Sequence, residues 1–234
     1  MGNTVACAGC GTIIDQSPSV PEGERIPCPQ CGSFARAFRI HVGNGVLTFD
    51  GASAVVFEKA ISLGSLLLLT VVVPGANTTE GKLIEAVTIP WFEMIAYILK
   101  DPTAMFKIPP RKWEEIIAGA YKQAGFDEVT LTPRSGDYGR DVIAIKKGLG
   151  TIRVIDQVKA YKPGHLVTAE EVRALIGVLH GDHASKGFLS TTSDFAPKLI
   201  EDPLVRPFIP ARLGLINGKL LLDRLVELAN KKQK

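Results

Sequence analysis

No cysteine lies beyond residue 31 of this 234-residue chain. Disulfides and a cysteine nucleophile are therefore excluded from nearly nine-tenths of its length. Histidine is scarce as well: of the four, His41 and His165 are isolated, while His180 and His183 flank Gly181 at the expected end of a helix. None has a Cys or Ser partner nearby that would make a nucleophilic pair. Long apolar runs are missing too. The greasiest stretch, Ala60 to Val73, is broken by Ser62, Gly64, Ser65 and Thr70. It falls well short of the roughly 20 residues that cross a bilayer, so it reads as a buried strand or strand pair. Residues Met1 to Thr4 show no basic region leading into an apolar run, as a secretory leader would. The chain is expected to be cytoplasmic, with no membrane partner.

Nor is there much net charge. Lys and Arg number 27 against 24 Asp and Glu, too small an excess to signal a nucleic-acid partner. Its distribution says more. Residues 1–106 carry 6 basic and 9 acidic side chains, and residues 107–234 carry 21 and 15. An anionic partner is therefore plausible for the second half. The length suits one domain plus a smaller module, and 46% apolar residues supply ample core.

The four cysteines are Cys7, Cys10, Cys28 and Cys31, two C-x2-C pairs seventeen residues apart, each followed by glycine (Gly11, Gly32). A C-x2-C turn aims two thiolates at one point about 2.3 Å away, and two such knuckles complete a tetrahedral S4 site suited to zinc. The spacing is that of a zinc ribbon. Disulfides fit poorly without an export signal, a redox dithiol needs only one pair, and an iron–sulfur centre is the remaining alternative. Four thiolates leave no open position, so the metal is expected to be structural.

Residues 36–106 read as a β-rich linker segment that ends in a helix. Phe38, Ile40 and Val42 alternate with Arg39 and His41, Asn44-Gly45 makes a hairpin turn, and Leu66 to Val73 forms an apolar strand closed by Pro74-Gly75. Pro90 opens a helix with Trp91, Met94, Ile95, Ile98 and Leu99 on one face. Pro109-Pro110 marks the domain boundary, close to where the charge changes sign. Beyond it helices alternate with strands, which indicates an α/β domain over 107–234. One helix carries Trp113, Ile116, Ile117 and Tyr121; Thr168-Ala-Glu-Glu171 is a capping box for another.

If Ile145 and Ile152 flank the turn at Lys147 to Gly150, antiparallel pairing sets Asp141 opposite or nearly opposite Asp156–Gln157. Side chains two apart share a face, so Gln157 and Lys159 point the same way. An Asp, a Gln and a Lys gather at one end of a hairpin. Polar residues at a sheet end are commonly just solvated, and Asp141 could cap the loop while Lys159 pairs with Asp156.

Asp141, followed after fifteen residues by Gln157-Val158-Lys159, resembles the active-site motif of the PD-(D/E)xK nuclease superfamily, in the Mrr-like (type IV restriction) variant with Gln in place of an acid. Further marks stand in order: Trp113-Glu114 with Gly125-Phe126, Ser135-Gly-Asp-Tyr-Gly-Arg-Asp141, Val172 to Gly177, Lys186 to Phe195 and Leu215 to Leu220. The resemblance covers about residues 107–234. It implies a restriction-endonuclease-like mixed central sheet flanked by helices, preceded by the zinc ribbon (1–35) and the β-rich segment. It further implies a Mg²⁺ ion held by Asp141 and Gln157, with a backbone carbonyl near Val158 as companion. In the implied roles Lys159 balances charge on the attacking water and phosphate, and Glu114 binds metal or orients a water. Arg140, where small or apolar residues are frequent, and the extra acids Asp137 and Asp156 depart from the pattern.

The resulting expectation is a Mg²⁺-dependent endonuclease of double-stranded DNA, of the restriction type, carrying structural Zn²⁺. Cutting both strands with one site per chain is compatible with a homodimer. The alternative is an inactive DNA-binding adaptor whose ribbon docks a partner protein.

Overall fold

Leucines and β-branched residues divide the apolar stretch at 62–73 between two conformations. The computed structural model describes residues 4–16, 20, 22–37, 40–43, 46–49 and 62–231. Within it, the leucine-rich part forms helix α1 (Leu63–Leu68), and the Ser62 hydroxyl caps it by accepting from the Ser65 N–H at 3.1 Å. The expected single strand is thus corrected: leucine favours helix where a cap is available, and only Val71-Val72-Val73 leads into a strand. That strand, β6 (Val72–Thr78), also runs through Pro74-Gly75 instead of ending there. It lies at the edge of its sheet and its register slips on both sides of Pro74, so the missing proline N–H costs no ladder bond.

The N-terminal residues form a three-stranded sheet of β1 (Thr4–Cys7), β2 (Ile13–Asp15) and β3 (Arg36–Ala37), with β1 central and both pairings antiparallel. Strands β4 (Ile40–Gly43) and β5 (Val46–Phe49) make the expected hairpin, Gly43 facing Val46. The Asn44-Gly45 turn, like Phe38 and Arg39, lies outside the described residues.

The main sheet has seven strands. After β6 come β7 (Gly81–Val87), α2 (Ile89–Lys100), α3 (Pro110–Gln123), β8 (Glu128–Leu131), β9 (Val142–Lys147), β10 (Thr151–Lys159), α4 (Ala169–Gly181), β11 (Lys186–Thr191), β12 (Leu213–Ile216) and α5 (Gly218–Ala229). The spatial order is β12-β11-β10-β9-β8-β7-β6; β10–β11 and β11–β12 are parallel and the rest antiparallel. Helices α2, α3 and α5 cover one face, around Trp91, Trp113, Ile116, Val154 and Leu225. Helix α4 covers the other, around Ile155, Val172, Leu175 and Leu189. Strand β10 alternates between these two cores as a period of two requires. No helix among the described residues is long and apolar enough to cross a membrane.

Strands β6 and β7 and helix α2 precede the division expected at 106/107, yet they share a sheet and a core with the elements beyond it. Gly81 sits at φ 145°, where a Cβ would come within 2.3 Å of the Leu131 carbonyl, so only glycine lets β7 close onto β8. The Trp91 indole donates to the Ile116 carbonyl at 2.9 Å, and the Trp113 indole to Met105 O at 3.0 Å. Helix α2 also buries Phe92, Met94, Ile95 and Ile98. At about 1.5–3 kcal/mol per large side chain, the helix accounts for on the order of 10 kcal/mol of gross burial. That is comparable to the whole net stability of an ordinary domain, about 5–15 kcal/mol. A fragment of residues 62–234 is therefore expected to unfold in urea as one cooperative unit. A fragment of 107–234 should unfold at much lower urea or fail to stay soluble. Equal midpoints for the two fragments would show that the core does not depend on residues 62–106.

Candidate active site and candidate metal centre

The loop from Thr132 to Arg140 joins β8 to β9, and its neck is closed by Thr132. The Thr132 N–H donates to the Asp141 carbonyl at 3.1 Å, and its hydroxyl to the carbonyls of Arg140 and Asp141. The β9–β10 register pairs Ile143 with Ile155 and Val142 with Asp156, while Ile152 faces Lys146. Asp141 therefore arrives beside Gln157, as the hairpin arithmetic expects, and its N–H donates to the Asp156 carbonyl at 3.2 Å.

The Asp141 carboxylate is held by the Val158 N–H, which donates to Oδ2 at 2.6 Å. The observed partner at Val158 is thus the amide. Burial pushes the Asp141 carboxyl up to about 6; Glu114 and Asp137 push the same way, against the Val158 N–H and Lys159. Gln157 shares the face of β10 that Lys159 occupies, and Gly139, at φ 78°, packs directly on it: a Cβ there would lie 3.4 Å from Gln157 Nε2. The Gln157 Oε1 is buried with no hydrogen-bond partner. An orphaned amide oxygen costs about 1–3 kcal/mol. One residue before the amide that holds the Asp141 carboxylate, this neutral oxygen fits a hard divalent cation that takes oxygen ligands.

Lys159 points its ammonium at Glu171 of α4, with Nζ 3.5 Å from Oε1. It does not pair with Asp156. The Tyr161 hydroxyl donates to the same Oε1, while Oε2 accepts from the Thr168 N–H at 2.9 Å and the Thr168 hydroxyl at 3.1 Å. Burial would raise the Glu171 carboxyl, but these donors hold it below its ordinary value. Glu171 was legible as the acid of a capping box, and its second task of holding Lys159 was not. Glu114 lies near enough to raise the Asp141 carboxyl, and its Oε2 accepts from Arg111 at 2.6 Å. Arg111 also donates to the Thr132 carbonyl at 2.8 Å, which ties α3 to the loop neck.

The two extra acids are turned elsewhere. Asp156 faces α3 and α5, where its Oδ2 accepts from the Tyr121 hydroxyl at 2.8 Å and the Ser190 hydroxyl at 3.1 Å. Burial raises it to about 7. Alternation along β10 puts it on the opposite side from Gln157 and Lys159. Asp137 accepts from the Gly139 N–H at 3.0 Å within the loop. Arg140, the unexpected residue before Asp141, joins a four-charge cluster. It meets Asp182 at 2.7 Å and Glu80 at 3.6 Å, and Arg153 meets the same two acids at 2.7 and 2.6 Å. The cluster fastens the β6–β7 turn and the end of α4 to the loop, and nothing in local sequence signals it.

The four cysteines converge. Their Sγ atoms all lie within 4.8 Å of one another, with Cys7–Cys31 and Cys10–Cys28 at 3.5 Å. A tetrahedral zinc–sulfur site has S–S edges of about 3.8 Å, so the set fits that ion. Both knuckles repeat one backbone pattern. The Cys7 N–H donates to Thr12 O and the Gly11 N–H to Cys7 O; the Cys28 N–H donates to Ser33 O and the Gly32 N–H to Cys28 O. Gly11 and Gly32, at φ 77° and 72°, make this turn possible. The Thr12 hydroxyl and N–H draw the Cys10 thiol down to about 6.

No curated protein matches the chain. Two solved structures resemble it. One is the DNA modification-dependent restriction endonuclease AspBHI, at 21% identity over 53% of this chain and 33% of that one, with a TM-score of 0.42. The other is the MspJI restriction endonuclease, solved in complex with a 27-mer oligonucleotide, at 20% identity over 59% of this chain and 33% of that one, with a TM-score of 0.43. The chain thus spans about a third of the length of either. Residues 105–223, just over half of the 234, match the restriction endonuclease family Mrr_cat, and the chain belongs to that family.

Proposed function

We propose that the chain is a Mg²⁺-dependent DNA endonuclease of the restriction type, with its reacting groups in residues 107–234 and a structural zinc in residues 1–35. The observation that carries this reading is the buried, orphaned Gln157 Oε1, one residue before the Val158 N–H that holds the Asp141 carboxylate. Asp141 and Gln157 would hold the Mg²⁺, and a bound Mg²⁺ supplies Lewis-acid polarisation of the phosphate and a more acidic water. The protein's own groups do the rest. Lys159, aimed by Glu171, donates to the phosphate as negative charge grows on it. Glu114, fixed by Arg111, orients a water from α3. The basic excess of residues 107–234 draws the duplex in. Two chains would act together to cut both strands, in the cytoplasm.

The test is a plasmid nicking assay over a Mg²⁺ titration, with EDTA as the control. Cleavage that needs Mg²⁺ supports the reading. Absence of cleavage on both modified and unmodified DNA would favour the adaptor, a reading to which the neutral Gln157 and the Arg111-paired Glu114 lend weight. The titration has a second arm. Gln157→Glu puts another charge against Asp141, so it should lower the melting temperature in EDTA. It should also lower, or leave level, the Mg²⁺ concentration needed for half-maximal cleavage. A higher Mg²⁺ requirement would remove residue 157 from the metal site.

A further inference from the structure

The loop before Asp141 carries one large side chain that the fold leaves exposed. Tyr138 is 78% exposed and sits at φ 55°, in the left-handed region where a Cβ crowds the following carbonyl oxygen. Gly136 and Gly139 take similar angles, 74° and 78°, without that crowding. The loop is tied down on both sides of Tyr138. Asp137 Oδ1 holds the Gly139 N–H, Arg140 Nε donates back to the Asp137 carbonyl at 3.1 Å, and Gly139 is seated on Gln157. Arg140 is itself clamped by Asp182 and Glu80, with its guanidinium carbon 5.7 Å from the centre of the Tyr138 ring. A bulky ring is thus held outward in an unfavourable backbone conformation, three residues before Asp141, burying almost nothing in return. The Arg140 contact, worth about 0.5–1 kcal/mol at an exposed site, offsets a cost of about 1–2 kcal/mol only in part, and strain held in a loop that leads into a site points to a role there.

We infer that Tyr138 is a DNA-contacting residue, its ring laid against the sugar and base faces of the strand whose phosphate reaches Asp141 and Lys159. This rests on the endonuclease reading above. Cations around the site hold phosphates of any sequence. A ring on the base and sugar faces responds to stacking and to how readily a base step opens, so Tyr138 contributes to the choice of DNA.

The experiment measures binding of a labelled mixed-sequence duplex to the full chain in EDTA, with thermal melting of each variant. Tyr138→Gly removes both the ring and the backbone crowding. It should bind about tenfold more weakly, the scale of one lost stacking contact. Its melting temperature should stay at the wild-type value or above, because relief of crowding offsets the added freedom of the unfolded chain. Tyr138→Phe keeps the ring and should bind within about twofold of wild type. The dependence on salt should be the same in all three, since no phosphate contact is lost. Wild-type affinity in Tyr138→Gly overturns the inference, and so does weaker binding accompanied by a lower melting temperature. Failure of the unmutated chain to bind DNA shows up separately, and overturns the endonuclease reading together with this one.

Discussion

Asp141→Asn should reduce Mg²⁺-dependent cleavage by about a hundredfold or more, the scale on which losing a key electrostatic group acts, while leaving the fold intact. Asparagine still presents an oxygen to the Val158 N–H that bonds Asp141 Oδ2 at 2.6 Å, so only the charge is lost. In metal-free protein the carboxyl is raised from 3.8 to about 6, by burial first and then by Glu114 and Asp137. A raised carboxyl pKa means that the folded state resists ionisation. Stability in EDTA therefore falls as pH rises from about 4 to about 6, and stays lowered above that. Asp141→Asn should accordingly melt higher than wild type at pH 8 in EDTA, and the difference should vanish near pH 4. Added Mg²⁺ should raise the melting temperature of the wild type and not of the variant. Lys159→Ala should lose cleavage on a similar scale while binding DNA normally, because many other cations carry the affinity. Full cleavage in both variants would place the active site elsewhere.

Stripping the cysteine cluster should unfold the three-stranded N-terminal sheet and leave the seven-stranded sheet standing. The N-terminal sheet buries little beyond Val5, Ile14 and the sulfurs of Cys7 and Cys28. At roughly 25 cal/mol per Å² such a core cannot offset the ordering of about thirty residues. A structural zinc in sites of this kind supplies on the order of 10 kcal/mol. Chelation, or Cys28→Ser, is thus expected to abolish protection of the amides in β1 and β2 against hydrogen exchange. Amides of β9, β10 and β11 should keep theirs, since no cysteine lies beyond residue 31. Elemental analysis should find one zinc per chain. A metal-free ribbon with full protection, or an iron–sulfur absorption band, would count against zinc.

What the sequence determined unaided is local. The four converging cysteines come from two short knuckles, each closed within six residues by its own backbone bonds. The meeting of Asp141, Gln157 and Lys159 comes from a tight hairpin, whose turn sets the register and whose period of two sets the face. The buried stripe of α2 (Trp91, Met94, Ile95, Ile98) is legible for the same reason. Tertiary structure alone decided the rest. It brought β6 and β7 into the main sheet, across α2 and α3, through a pairing of Lys82 with Leu131 that no nearby residue announces. It turned the capping acid Glu171 toward Lys159, and it joined Glu80, Arg140, Arg153 and Asp182 across more than seventy residues. Capping and hairpin rules act over a few residues. Ion pairs and strand pairings between distant segments depend on where the whole sheet places them, and chain order alone does not carry that information.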